Sequence, residues 1–171
     1  MMRFVIVAAL VAACSGGGGD DRPDGRTTAD APAGSCTPAG FSPFSQTAER
    51  DAEILFYTGV TEVAPTDRLT VDFYFTLGAT DGPHTFTFTG EDLAACGTCV
   101  LFHRGEDKKF MAQTGTLEVT ALGAVDTTFA ATLHDVTFAE VTIQDSNTTL
   151  VPGGETTCLE EQALSAPITA P

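Results

Sequence analysis

The feature that most narrows the fold is a run of strict alternation, RLTVDFYFTL, at residues 68–77. Leu69, Val71, Phe73, Phe75 and Leu77 fall on one side of an extended chain, and Thr70, Asp72, Tyr74 and Thr76 on the other. Successive side chains of a strand point to opposite faces, so this pattern predicts a half-buried β-strand. HTFTFT repeats it, with Phe86 and Phe88 on one face. GTLEVTAL sets Leu117, Val119 and Ala121 against Thr116, Glu118 and Thr120. TTFAATLHDVTFAEVTI carries Phe129, Ala131 and Leu133, slips by one residue at His134-Asp135, and resumes with Val136 and Phe138. Such a slip is a β-bulge or a tight turn. EILFYTG is apolar on both faces and reads as a central strand. Threonine, β-branched and polar, suits the solvated face of a pleated sheet.

Turn signals separate these runs: APTD, GATDGP, HRGEDKK, QTG, LGAVD and DSNTTLVPGG. Short, regular spacing of this kind predicts an all-β fold, an antiparallel sandwich or barrel of about seven to nine strands. One short helix is expected near residues 91–95, capped by Thr89 with Asp92 three residues on.

The chain opens MMRFVIVAALVAACSGGGG. Arg3 precedes an apolar run of about ten residues, too short to span a bilayer and of the length of a secretory signal. The run ends in Val11-Ala12-Ala13-Cys14, which resembles the lipobox of bacterial lipoproteins. That resemblance implies cleavage before Cys14, acylation of its sulfur (palmitate among the acyl chains), and a membrane held by lipid alone. Several acyl chains anchor far better than one. Ser15 in place of an aspartate implies, by the same resemblance, the outer membrane of the cell envelope. SGGGGDDRPDGRTTADAPAGS then has almost nothing apolar to bury and reads as a tether with a reach of about 25 Å. The expected organisation is a removed signal peptide at 1–13, a lipidated flexible tether at 14–35, and a single β-rich domain at 36–171.

With 23 acidic residues against eight Lys and Arg, the net charge is −15. Nucleic acid, which demands a basic footprint, is excluded as a partner. Calcium suits the charge, but no D-x-[DN]-x-[DN]-G loop appears and the acids are scattered. No cofactor is expected. HRGEDKK, the only cluster of both signs, reads as a solvated hairpin tip. Glu140 shares a face with Val136 and Phe138 if the alternation is restored after the slip. The favoured reading instead has the strand leaving the core, with Val141 and Ile143 turned inward.

Five cysteines remain to be placed. If Cys14 carries lipid, Cys36, Cys96, Cys99 and Cys158 form an even set, and an exported domain oxidises such a set to two disulfides. Pairing Cys96 and Cys99 to the two chain ends is favoured over Cys96–Cys99 with Cys36–Cys158, because long loops constrain the unfolded chain more. Cys96-Gly97-Thr98-Cys99 also has the spacing of a redox motif. Such a motif works at the start of a helix, whose N-terminus stabilises a thiolate; here it closes the predicted helix and opens a strand. A haem site fails because position 100 is Val. A zinc site from Cys96, Cys99 and His103, completed by Cys36 and Cys158, lacks a second tight knuckle. No G-x-S-x-G or H-E-x-x-H occurs, and His84, His103 and His134 have no local partners. No catalytic residue is assigned.

CGTCVLF, the hairpin after it, TGTLEVTAL, FAATLHDVTFAEVTI and VPGGETTC together resemble β-rich lipoproteins of social gliding soil bacteria. The resemblance spans roughly residues 85–160 and implies a compact domain with cysteines as framework. The expected role is a non-catalytic, lipid-anchored surface or interaction module. The alternatives are a periplasmic thiol oxidoreductase using Cys96 and Cys99, a small metal-dependent hydrolase, or an acidic metal-binding envelope protein.

Overall fold

The computed structural model describes residues 36–171 apart from Val63 and Pro65. The expected signal peptide, Cys14 and the tether lie outside the described residues. Ten strands follow in order: β1 (Thr37–Pro38), β2 (Ser45–Arg50), β3 (Ile54–Val60), β4 (Arg68–Tyr74), β5 (His84–Thr87), β6 (Thr98–Arg104), β7 (Lys108–Ala121), β8 (Thr128–Gln144), β9 (Asn147–Leu150) and β10 (Thr156–Thr169). The fold is all-β and mostly antiparallel, as the alternation predicts. No helix forms near residues 91–95. A single turn stands there, in which the Asp92 carbonyl accepts from the Ala95 and Cys96 amides. Asp92, not Thr89, is the capping side chain: its carboxylate accepts from the Ala94 amide at 3.2 Å.

The ladders close on themselves. Neighbours run β2, β3, β4, β6, β7, β8, β10 and back to β2. The closing seam is parallel and short, pairing only Ile168 with Ala48 and Thr169 with Glu49. Gln46 extends it with its side chain, whose Oε1 accepts from the Tyr57 hydroxyl at 2.7 Å and the Ser165 amide at 3.0 Å. β5 adds to the outer half of β7, β9 to the end of β8, and β1 to the start of β10.

β7, β8 and β10 change their inward-facing set at one level. Phe110 and Ala112 are buried before the change on β7, Leu117 and Val119 after it; Leu133 and Val136 flank it on β8, Leu159 and Leu164 on β10. The slip at His134-Asp135 is therefore a bulge, with Asp135 at φ 51°. Gly115 faces it at φ 101°, and a Cβ there would meet the Asp135 carbonyl at 2.7 Å. QTG is accordingly no turn. β7 runs straight through Gln113-Thr114-Gly115, which supply the bend of the barrel wall.

The interior is filled with side chains. Phe102 packs on Phe41, Phe110 and Phe138 at one end, and Phe129 on Tyr57 and Phe73 at the other, with ring centroids 5.2–6.1 Å apart. An inward-facing arginine lies at each mouth. Arg50 stacks 4.2 Å over Phe75 and pairs with Asp81 at 2.5 Å. Arg104 lies 5.2 Å from Phe110 and pairs with Glu155 at 3.1 Å. In both, the guanidinium lies over an aromatic ring and also pairs with a carboxylate.

Candidate functional site

A second apolar cluster sits on the outer face of the barrel. Cys96, Cys99, Met111 and Val141 are buried there, with Tyr74, Leu93 and Ile143 packed against them. It arises because the alternation that points Val71 and Phe73 inward points Asp72 and Tyr74 outward. On β6, Cys99 and Leu101 share that outward face, and Leu101 pairs across with Met111 of β7. The chain between β5 and β6 folds back over this face as residues 91–97.

Several contacts hold that segment, among them that of the Leu93 amide, which donates to the Thr148 hydroxyl at 3.4 Å. Cys96 is bonded to Cys99, with Cα atoms 5.6 Å apart. The Asp92 carboxylate accepts from the Thr148 amide at 3.0 Å and its hydroxyl at 3.2 Å, which docks the turn on the β8–β9 hairpin. The Thr148 and Ala94 amides hold the Asp92 carboxyl below the usual carboxylate range. The Gly97 carbonyl accepts from the Tyr74 amide at 2.7 Å. Gly97 carries no Cβ because one would lie 2.8 Å from the Leu77 carbonyl.

The pairing favoured from loop length is thereby corrected. Cys36 is bonded to Cys158 and Cys96 to Cys99. β1 lies parallel to β10 and sets Pro38 beside Cys158, which brings Cys36 within a Cα separation of 5.7 Å. Cys96 and Cys99 instead face each other across one turn. Both residues are buried, each at 1 % exposure.

Asp72 is the residue that the sequence did not single out. It stands opposite Cys99 on β6 and Phe56 on β3. The residue is 7 % exposed, and its Oδ1 has no hydrogen-bond partner. Burial pushes its carboxyl up to about 7, against the opposing charge of Arg68. An aspartate at the centre of a strand is rare enough to flag, but nothing local says that its face is covered.

The remaining candidates scatter. His103 lies on the outer face between Arg68 and Lys109 in register, with its Nδ1 3.4 Å from the Arg68 guanidinium. Burial, then the charges of Arg68 and Lys109, push its imidazole down to about 4, so it is neutral at pH 7. His134 approaches Glu118 at 3.4 Å, and His84 packs edge-on against Phe73. Among the described residues no three His, Cys, Asp or Glu side chains converge as a metal site. Cys96, Cys99 and His103 are not joined by Cys36 and Cys158, which are bonded to each other.

HRGEDKK is less solvated than a free tip. Glu106 and Asp107 are exposed, but Arg104 and Lys108 both pair with Glu155, and Lys108 lies 3.7 Å from Glu140. Glu140 also accepts the Glu155 amide at 2.9 Å. The favoured reading of this strand is corrected. Glu140 stands opposite Phe110, a core residue, and so keeps the inward face at the barrel rim. Val141 and Ile143 are turned to the outer cluster. A cavity of about 10 Å³ lies beside Cys96 and Gly90, room for one water at most. An open depression of about 550 Å³ is lined by Phe44, Glu62 and Asp67. No protein-family model, curated protein or solved structure matches the chain.

Proposed function

We propose that the chain is a non-catalytic, lipid-anchored β-domain of the bacterial cell envelope, held at the outer membrane through Cys14 and used as a surface or interaction module. The observation that supports the module reading is the filled barrel, with Arg50 and Arg104 across its two mouths. Side chains occupy the space in which a barrel of this kind would enclose a ligand, which leaves recognition to the outer surface. Phe44 stands 72 % exposed beside Glu62 and Asp67 in the open depression and is the most prominent apolar group there. The excess of acid keeps such a module soluble and directs it away from anionic polymers.

The thiol oxidoreductase reading needs an accessible nucleophilic sulfur. Cys96 and Cys99 are both buried, which speaks for a framework role. The anchor is tested by mass spectrometry of membrane-extracted protein and by fractionation of Cys14→Ala. A lipid mass on a mature chain beginning at Cys14, lost together with membrane association in the variant, supports the reading. An unmodified peptide running through residue 14 overturns it.

A further inference from the structure

Asp72 and the Cys96–Cys99 bond are neighbours for which the module reading has no use. Directly opposed residues of an antiparallel pair have Cβ atoms about 5 Å apart, so the carboxyl and Cys99 share one patch of the outer face. The carboxyl is buried with an unpartnered oxygen. A carboxylate buried in that way costs far more than a carboxylic acid, so the closed arrangement prefers the protonated form. Around it, Arg68 and Tyr74 share its face of β4 and Glu49 lies beyond Phe56 on β2. His103 shares the outward face of β6 with Cys99, and Glu91 and Asp92 belong to the 91–97 turn, with Asp92 engaged by Thr148. Among the described residues no cation forms an ion pair with Asp72.

We propose that residues 91–97 form a flap whose opening is set jointly by the proton on Asp72 and by the Cys96–Cys99 bond. Both cysteines are 1 % exposed, so a thiol reaches their sulfurs only after the flap lifts. Lifting it loosens the packing beside Asp72 and admits water, and the carboxyl then ionises as an ordinary aspartate. A rise in pH therefore favours the lifted state until Asp72 is ionised in the closed state as well. That occurs at about pH 7. An external dithiol completes the change. Its thiolate attacks one sulfur of Cys96–Cys99, that S–S bond breaks, and the dithiol closes to a cyclic disulfide. The dithiol supplies the electron pair and both protons, which leaves Cys96 and Cys99 as thiols. The flap then keeps the hydrogen bonds of Asp92 and Leu93 to Thr148, the Gly97–Tyr74 bond and the packing of Leu93. This inference stands apart from the anchor at Cys14 and survives or fails without it.

The test is the rate of Cys96–Cys99 reduction by excess dithiothreitol between pH 5 and 8.5. Rates are divided by the dithiothreitol thiolate concentration, and the reduced pair is identified by peptide mapping. The unaltered protein is expected to show a normalised rate that rises by up to tenfold per pH unit between about pH 5 and 7 and then levels. Asp72→Asn is expected to remove the rise. Parallel profiles in the two proteins overturn the proposal. A flat normalised profile in the unaltered protein overturns it without any variant.

Discussion

The barrel interior and the outer cluster are built from the same strands and differ in what they ask of the chain. The interior takes every second residue of long alternating runs, and Phe73, Phe102, Phe110, Phe129 and Phe138 fill it, with Tyr57 as the one ionisable side chain of that cluster and its hydroxyl donating to Gln46. The outer cluster takes the other residues of those strands, where alternation leaves a mixture: Asp72, Tyr74, Cys99, Met111 and Val141. It is closed by a turn and a bond spanning three positions, not by a sheet. One face is specified by period alone; the other becomes buried only because a connection folds over it. Burial without a matching pattern is where a carboxyl is left without a partner.

The comparison can be broken most severely inside. Phe102 touches three other rings, and Phe102→Ala is expected to cost about 3–5 kcal/mol of unfolding free energy in urea titrations. A loss below about 1 kcal/mol would mean that the interior is no better packed than the cluster outside.

The two bonds give the next contrast. Cys36–Cys158 spans 122 positions, Cys96–Cys99 only 3. On the chain-entropy account, removing the first by a double Cys→Ser change is expected to destabilise by about 2–5 kcal/mol, and removing the second by less than about 2 kcal/mol. Thermal and urea unfolding of the two double variants rank them. The reverse ranking would show that the cluster, not the chain-end staple, holds the fold.

The smallest effect is the most diagnostic. Burial raises the Asp72 carboxyl from 3.8 in the unfolded chain to about 7 in the folded one. The folded state therefore binds the extra proton. The contribution of Asp72 to stability is greatest below about pH 4, falls as pH rises from there to about 7, and is level beyond. Asp72→Asn is expected to match the parent within about 0.5 kcal/mol at pH 4 and to exceed it by about 1–3 kcal/mol at pH 8. A variant equally displaced at both pH values would place Asp72 in water.

Several elements are legible in the sequence alone. The runs at Leu69–Phe73, Leu117–Val119 and Phe129–Phe138 supply much of the core, and the slip at His134-Asp135 is a bulge. β10 was not legible. LEEQAL is rich in helix formers and Pro167 interrupts the run, so the local signal is weak. The strand forms because β8 offers it an antiparallel partner from Thr128 to Ala139. QTG carries a turn composition but lies inside β7, since Gly115 answers the bulge in β8. The expected helix at 91–95 shrank to one turn. Five residues are too few to repay helix nucleation, and Asp92 finds its partner in Thr148.

The sequence by itself determined which residues can share a face. A strand has a period of two, and that period is written in the order of the side chains. It also determined that four cysteines stand in the domain, two of them three positions apart. Tertiary structure decided closure and pairing. β2 meets β10 along a two-pair seam completed by Gln46, and β1 sets Cys36 beside Cys158 across 122 positions. It also decided which outer face is covered. Asp72 and Thr70 are both outward residues of one alternating run, yet Asp72 is buried and Thr70 only half-buried. Asp72 stands opposite Cys99, which is bonded to Cys96, whereas Thr70 stands opposite Leu101, and local order cannot reveal either pairing.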